Sequence, residues 1–298
     1  MKRTLDAGRK REERLAWALV APFVIFFAIF KLWPMIYGFA VSFLDRNSVK
    51  KLTDTSFVMF RNYGKVLKSP GFWSSFGHTI VYSLIYVTVL MVVSFFLANL
   101  LNRTFKGRTV VRTCFYMPYV TNVIAIGIVF KYLLNPTRGP VNAIWRLFGA
   151  EGPKWLTSPT MALPVTALIG VWVALAFNVI TILAALQEIP KDLFEVADLE
   201  GASWWCRMKD IVFPMIAPAL FMLLTITVIN SFKNYTMVTA LTGGGPGSAT
   251  RVLSLQIYDD AFQFSKFSIA SAEGVLFTMF IIVVNRVITR ARNRWEVK

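Results

Sequence analysis

One histidine, His78, and two cysteines, Cys114 and Cys206, are the only imidazole and thiol groups in the chain. No G-x-S-x-G elbow is present to raise a serine nucleophile, and no H-E-x-x-H or paired Cys/His spacing could hold a metal. The triple glycine Gly243, Gly244, Gly245 lacks the Lys-Ser/Thr that completes a phosphate-binding P-loop. His78 therefore reads as an interfacial polar residue, and the cysteines as reduced packing residues with no disulfide between them. What remains is suited to holding a polar solute. Asn178, then Asn230, Lys233 and Tyr235 within NSFKNY, and Glu273 within IASAEG supply hydrogen bonds, charge and an aromatic face. A polar solute needs those groups, yet the same residue types also bond membrane helices to one another, and both readings stand at this point.

The elements that carry these residues are apolar. The chain has 298 residues, of which 56% are hydrophobic and 16% charged. A soluble domain has about 25% charged residues. Six apolar stretches stand out, at 16–43, 79–101, 113–134, 161–187, 215–241 and 267–289, and they contain only Lys31, Lys131, Lys233, Glu273 and Arg286 as charges. A bilayer core asks for about 20 apolar residues per helix. The pattern predicts an all-α polytopic membrane protein with six transmembrane helices. It excludes a soluble enzyme and a disordered chain, and argues against a β-barrel, whose strands alternate over about 10 residues. Ionisable groups inside a span face a cavity or a partner, whereas Lys31 and Lys131 sit near span ends and can snorkel.

Net charge is +16, which in a soluble chain would suggest nucleic acid. Here it reads as topology, and no nucleic-acid partner is expected. With the N-terminus inside, the inner segments hold 17 Lys and Arg in 62 residues, and the outer segments 11 in 86. The positive-inside rule then places both termini in the cytoplasm. MKRTLDAGRKREER with the following apolar run imitates a signal peptide, but the run is too long and no small-residue cleavage site follows, so it reads as an uncleaved first helix. Arg103, Lys106, Arg108 and Arg112 between the second and third spans read as an anchor at the membrane surface.

The inner loop 188–214, EIPKDLFEVADLEGASWWCRMKDIVFP, is the richest in local signals. Pro190 can open a helix, Gly201 can end it in the left-handed conformation, and Ser203 can cap a second one. Trp204, Met208, Ile211 and Met215 fall on one predicted apolar stripe. The opposite face is acidic, with Glu188, Asp192, Glu195, Asp198, Glu200 and Asp210. A helix–glycine–helix hairpin of this type is either an amphipathic connector or a docking element for a soluble partner.

Glu195-Val196-Ala197, three residues, Gly201, nine residues, then Ile211-x-Phe213-Pro214 resembles the E-A-A-x3-G-x9-I-x-L-P motif of the membrane subunits of binding-protein-dependent ABC importers. Val196 and Phe213 depart from it and stay apolar. QEIPKDLFEVADLEGAS, SFKNYTMVTALTGGGP and RTVVRTCFYMPYV are similar to the carbohydrate branch, including maltose and glycerol-3-phosphate permeases. The resemblance covers nearly the whole chain. It implies a cytoplasmic tail at 1–15, a permease domain at 16–289 and a second tail at 290–298. Loop 188–214 becomes a cytoplasmic coupling hairpin that seats in an ATPase subunit through Glu195, Val196, Ala197, Asp198, Gly201, Ala202, Ile211 and Pro214. Gly243, Gly244, Gly245 and Pro246 become a contact for an extracytoplasmic solute-binding protein. The implied partners are a second, homologous permease subunit in a heterodimer, two ABC ATPase copies, that binding protein and membrane lipid. No cofactor is expected on this chain, since ATP and Mg belong to the partner subunits, and the implied location is a prokaryotic cytoplasmic membrane. The rival class, a self-sufficient ion-coupled secondary transporter, predicts paired intramembrane carboxylates and an internal repeat. Glu273 is the single carboxylate in the spans, and no repeat is visible.

Overall fold

Loss of backbone donors at proline, and capping by serine and asparagine, divide the apolar stretches into more pieces than their composition suggests. The computed structural model describes residues 2–46, 55–103 and 105–296. In chain order the helices are α1 (Lys2–Phe27), α2 (Trp33–Val41), α3 (Arg61–Leu67), α4 (Pro70–Asn102), α5 (Arg108–Val120), α6 (Val123–Leu133), α7 (Pro140–Leu147), α8 (Ala162–Gln187), α9 (Lys191–Leu199), α10 (Trp204–Arg207), α11 (Phe213–Phe232), α12 (Tyr235–Leu241), α13 (Leu253–Tyr258) and α14 (Phe267–Glu296). Wider π turns occupy Ala28–Leu32, Met208–Val212 and Asp259–Gln263. Among the described residues no strand forms, only an isolated bridge between Leu44 and Phe57. Glu12–Val41, Pro70–Asn102, Ala162–Gln187, Trp204–Phe232 and Phe267–Trp295 are each long and apolar enough to cross a membrane, and α5 with α6 forms a sixth, bent candidate. The all-α polytopic architecture read from the sequence is the one observed.

The chain divides into two compact units, Met1–Lys68 with Asp259–Leu276, and Ser69–Tyr258 with Phe277–Lys298. In the first, α1 continues through a π turn into α2. Pro34 has no N–H for the carbonyl four residues back, and the Trp33 N–H bonds to Ala28 O across the widened turn. None of the most apolar window of Glu12–Val41 is buried within the chain. Beyond α2, Asn62 Nδ2 donates to the carbonyls of Ser42 and Leu44, at 2.8 and 2.9 Å. Phe43 stacks on Phe57 and meets Phe60 edge-on and Tyr63 at a tilt. The Arg46 amide donates to Ser268 Oγ at 2.7 Å.

The second unit is built on α4 packed against α8, with Tyr82, Leu90, Ile182 and Leu223 fully buried between helices. Gly170 allows the approach: a Cβ there would stand 2.7 Å from the Tyr82 hydroxyl. Gly127 does the same where α6 meets Ala240 of α12. Small residues at such crossings are the usual basis of helix packing in membranes.

Two spans differ from their sequence expectation. Stretch 113–134, read as one helix, is broken and bent by 101°. Pro118 removes one backbone donor, Thr121 is extended, and the Asn122 side chain caps a new helix by accepting from the Ile124 and Ala125 amides. Stretch 215–241, also read as one helix, stops at Phe232. Asn234 takes φ −79°, ψ 55°, and the Tyr235 amide donates to Lys233 O at 2.8 Å, an inverse γ-turn. Asn234 Nδ2 donates to the Tyr82 hydroxyl, tying this break to α4. The second apolar stretch also begins earlier than its apolar core, because Ser69 and Pro70 start α4 nine residues before position 79.

Candidate functional site: the helical hairpin and the polar groups of the spans

The hairpin forms from local signals. α9 follows Pro190, which stands at its N-cap rather than inside its first turn. The helix closes with both bonds of a Schellman motif: Gly201 N–H to Asp198 O at 3.2 Å, and Ala202 N–H to Ala197 O at 2.9 Å. Gly201 takes φ +67°, and open space surrounds it. Ser203 Oγ accepts from the Cys206 amide and starts α10. Across the turn, Arg207 pairs with Asp198 at 2.5 Å and donates from Nε to Ala202 O at 3.0 Å. One arginine thus fastens the second helix to the end of the first.

Ala197 is buried, while Phe194, Ile211 and Phe213 pack on the core of the unit. Of the expected stripe of Trp204, Met208, Ile211 and Met215, Met208 is buried and Ile211 half-buried, while the other two fall off the buried face. Trp204 and Met215 are exposed, and Met208, Val212 and Ile216 point inward. The π turn Met208–Val212 is the reason. It inserts a residue ahead of Pro214, with the Phe213 N–H reaching back to Met208 O, and so rotates the helix. The outward face carries Glu195, Val196, Asp198, Leu199, Glu200 and Trp205; Leu199 is 89% exposed. That face joins carboxylates to large apolar side chains that no part of the described chain covers.

Thr242 to Arg251 make the second ordered loop. Gly243, Gly244 and Gly247 have positive φ. The buried Thr250 hydroxyl donates to Gly245 O at 2.8 Å and meets the Thr242 hydroxyl at 2.7 Å. Gly245 and Pro246 border a cleft of about 250 Å³ that also contains Lys131 and Asn135.

The polar residues of the spans are not equivalent. Asn178 is buried, donates to Ala174 O and accepts from the Thr227 hydroxyl of α11 at 3.3 Å. Asn230 and Lys233 are exposed at the end of α11, and Tyr235 packs at a tilt against Tyr258 with ring centroids 4.6 Å apart. Glu273 is buried in the first part of α14, which belongs to the other unit. Sequence reasoning passed over Arg207, Tyr82 and the Thr242–Thr250 pair. Opposite charges on either side of Gly201 were a usable signal for Arg207. Nothing local marks Tyr82 as the partner of Asn234, 152 residues away.

A family model described as the inner membrane component of binding-protein-dependent transport systems matches residues 91–296. The chain is 30% identical over 275 residues to the trehalose/maltose transport system permease protein MalF of Thermococcus litoralis, with 92% of each covered. It is 30% identical over 273 residues to the sn-glycerol-3-phosphate transport system permease protein UgpA of Agrobacterium fabrum, covering 91% of this chain and 92% of that one. One chain of a bacterial ABC transporter involved in import of the acidic polysaccharide alginate superposes with a TM-score of 0.84 at 25% identity, over 98% of this chain and 99% of that one. The family match takes in the hairpin, the turn between α11 and α12 and the glycine turn alike, and the chain belongs to the inner membrane components of binding-protein-dependent transport systems, the multi-pass permeases of ABC importers.

Proposed function

We propose that this chain is one of two unlike permease subunits of a sugar or polyol-phosphate importer in a prokaryotic cytoplasmic membrane. Residues 1–15 and 290–298 lie in the cytoplasm in this reading, flanking the permease domain 16–289. The observation that carries it is the hairpin: a rigid, clasped turn whose carboxylates and apolar side chains face outward together. Glu195, Val196, Ala197, Asp198, Gly201, Ala202, Ile211 and Pro214 then form or hold the docking element for a cytoplasmic ATPase, present in two copies. ATP and Mg are used there, and this chain carries neither. The turn Gly243, Gly244, Gly245 and Pro246 meets the solute-binding protein on the other side. Names of the similar permeases support the sugar class.

Transport runs by alternating access. Asn230, Lys233 and Tyr235 gather where α11 is interrupted, and irregular backbone inside a membrane is tolerated where it lines a cavity or is buried in protein. Asn178 and Glu273 belong to the same polar inventory. The test is isolation through a tag on this chain, followed by reconstitution. The expected result is co-purification of an ATP-hydrolysing subunit and a second permease, with sugar uptake that requires ATP and the binding protein. Lys233→Met should impair uptake while assembly is retained. Uptake by this chain alone, driven by an ion gradient, would replace the reading with a secondary transporter.

A further inference from the structure

The four cations between α4 and α5 fall into two kinds. Arg103 and Lys106 are exposed. Arg108 and Arg112 are half-buried, and each has Nε and Nη2 shielded from solvent with no hydrogen-bond acceptor among the described residues. A shielded guanidinium nitrogen without an acceptor is costly, and charges in that state are normally paired. Their i, i+4 spacing sets both on one face of α5. They stand at its N-terminal end, where Gly107 occupies the cap and no side chain caps the first turn. The partial positive charge of that end adds to the two guanidinium groups.

We propose that Arg108 and Arg112 form a phosphate-binding site for the headgroup of an anionic phospholipid in the cytoplasmic leaflet. Turned outward from this shielded position, the planar arginine fork matches two phosphate oxygens at once. Phe105 and Val110 are exposed apolar side chains in the same stretch, which suits the boundary between headgroups and acyl chains better than a site for a free ion. Basic pockets at the cytoplasmic ends of membrane helices recognise such headgroups by this chemistry. The leaflet rests on the orientation proposed above; the phosphate chemistry does not.

The probe is native mass spectrometry of the complex isolated from membranes, titrated with phosphatidylglycerol or phosphatidylcholine. Phosphatidylglycerol should bind in preference to phosphatidylcholine. The double substitution R108Q/R112Q should weaken it by about tenfold or more, the scale expected for two cations at a lipid surface. R103Q/K106Q, which alters the solvated pair, should have little effect. Equal binding of the two lipids by the unmodified complex overturns the proposal without needing any variant to fold. So does full displacement of phosphatidylglycerol by excess inorganic phosphate, which identifies a free-anion site. Unchanged lipid binding by R108Q/R112Q with loss of a partner subunit also overturns it and assigns the pair to a protein carboxylate. A reversed topology would change the leaflet and leave lipid preference intact, so the site and the orientation fail separately.

Discussion

The hairpin at 188–214 turns on one residue of positive φ, Gly201, while the turn at 242–251 uses three, Gly243, Gly244 and Gly247. Around Gly201 a Cβ would meet nothing within 4 Å, but at Gly244 it would stand 3.1 Å from Leu255 Cδ2. The hairpin is closed by its backbone and a single arginine, and one of its faces, with Glu195, Leu199 and Trp205, points outward. The glycine turn is closed by its own threonine hydroxyls, with Thr250 fully buried. One loop leaves acidic and large apolar side chains uncovered, and the other holds its own form. The difference separates conformational freedom, which glycine supplies in both, from packing, which matters only in the second.

The most complete way to break this comparison is to show that the two loops do not lie on opposite faces of the membrane. Ser203 and Ser248 are both exposed, so a single cysteine at either should be reachable from its own side. Labelling intact cells with an impermeant thiol reagent, in a background without Cys114 and Cys206, should mark Ser248→Cys and spare Ser203→Cys. The reverse pattern would invert the assignment.

Gly201→Val comes next. A β-branched residue opposes φ +67° by about 1–2 kcal/mol, and the Schellman bonds would be redirected. ATP-dependent uptake should fall by at least about tenfold with the protein still in the membrane, since 1.4 kcal/mol corresponds to a factor of ten. Because the surrounding space is empty, Gly201→Asn should recover much of the activity; asparagine tolerates the left-handed region. Failure of Asn to rescue Gly201 would mean that close packing against a partner, not backbone conformation, selects glycine.

Thr250→Val should act more weakly. It leaves Gly245 O without its hydroxyl donor, a loss of about 1–3 kcal/mol in local stability. Stimulation of ATP hydrolysis by the binding protein should drop, with basal hydrolysis unchanged. An equal drop in both would show that the turn communicates with the hairpin and is more than a contact surface. The smallest effect is expected from Asp198→Ala. Its carboxylate is 61% exposed, and exposed pairs contribute about 0–1 kcal/mol. A twofold or smaller change in uptake fits that value, and a loss rivalling Gly201→Val would make Asp198 a direct contact of the ATPase.

Much of the architecture follows from composition. The apolar stretches, Ser203 as a cap, Gly201 as a left-handed terminator and the short helix after Pro140 are all local consequences of residue type. The break at Asn122 escaped because a bent pair and a straight span have the same hydropathy. A lone asparagine in an apolar run reads as easily as a polar group within one helix. The rotation of α10 into α11 escaped because one extra residue in a π turn invalidates a stripe counted at 3.6 residues per turn. Asn178 shows a further limit. Its type signals hydrogen bonding, but only its neighbours reveal a bond to Thr227 across two helices. The backbone turn centred on Asn234 is joined by that residue's side chain to Tyr82, which no spacing rule connects to it.

Trp204 to Phe232 form one uninterrupted run of 29 helical residues, from the hairpin to the break at Lys233. At 1.5 Å per residue that run is about 43 Å long, so tilting it by about 5° about one end carries the other end roughly 4 Å. Such a swing exceeds the length of any hydrogen bond. The side-chain bond between Asn234 and Tyr82 lies just past the far end, and it must either break or drag α4 with it. A lever tied just past its tip by Asn234 to Tyr82, and along its length by Thr227 to Asn178, sets a small angular input against two side-chain hydrogen bonds to neighbouring helices.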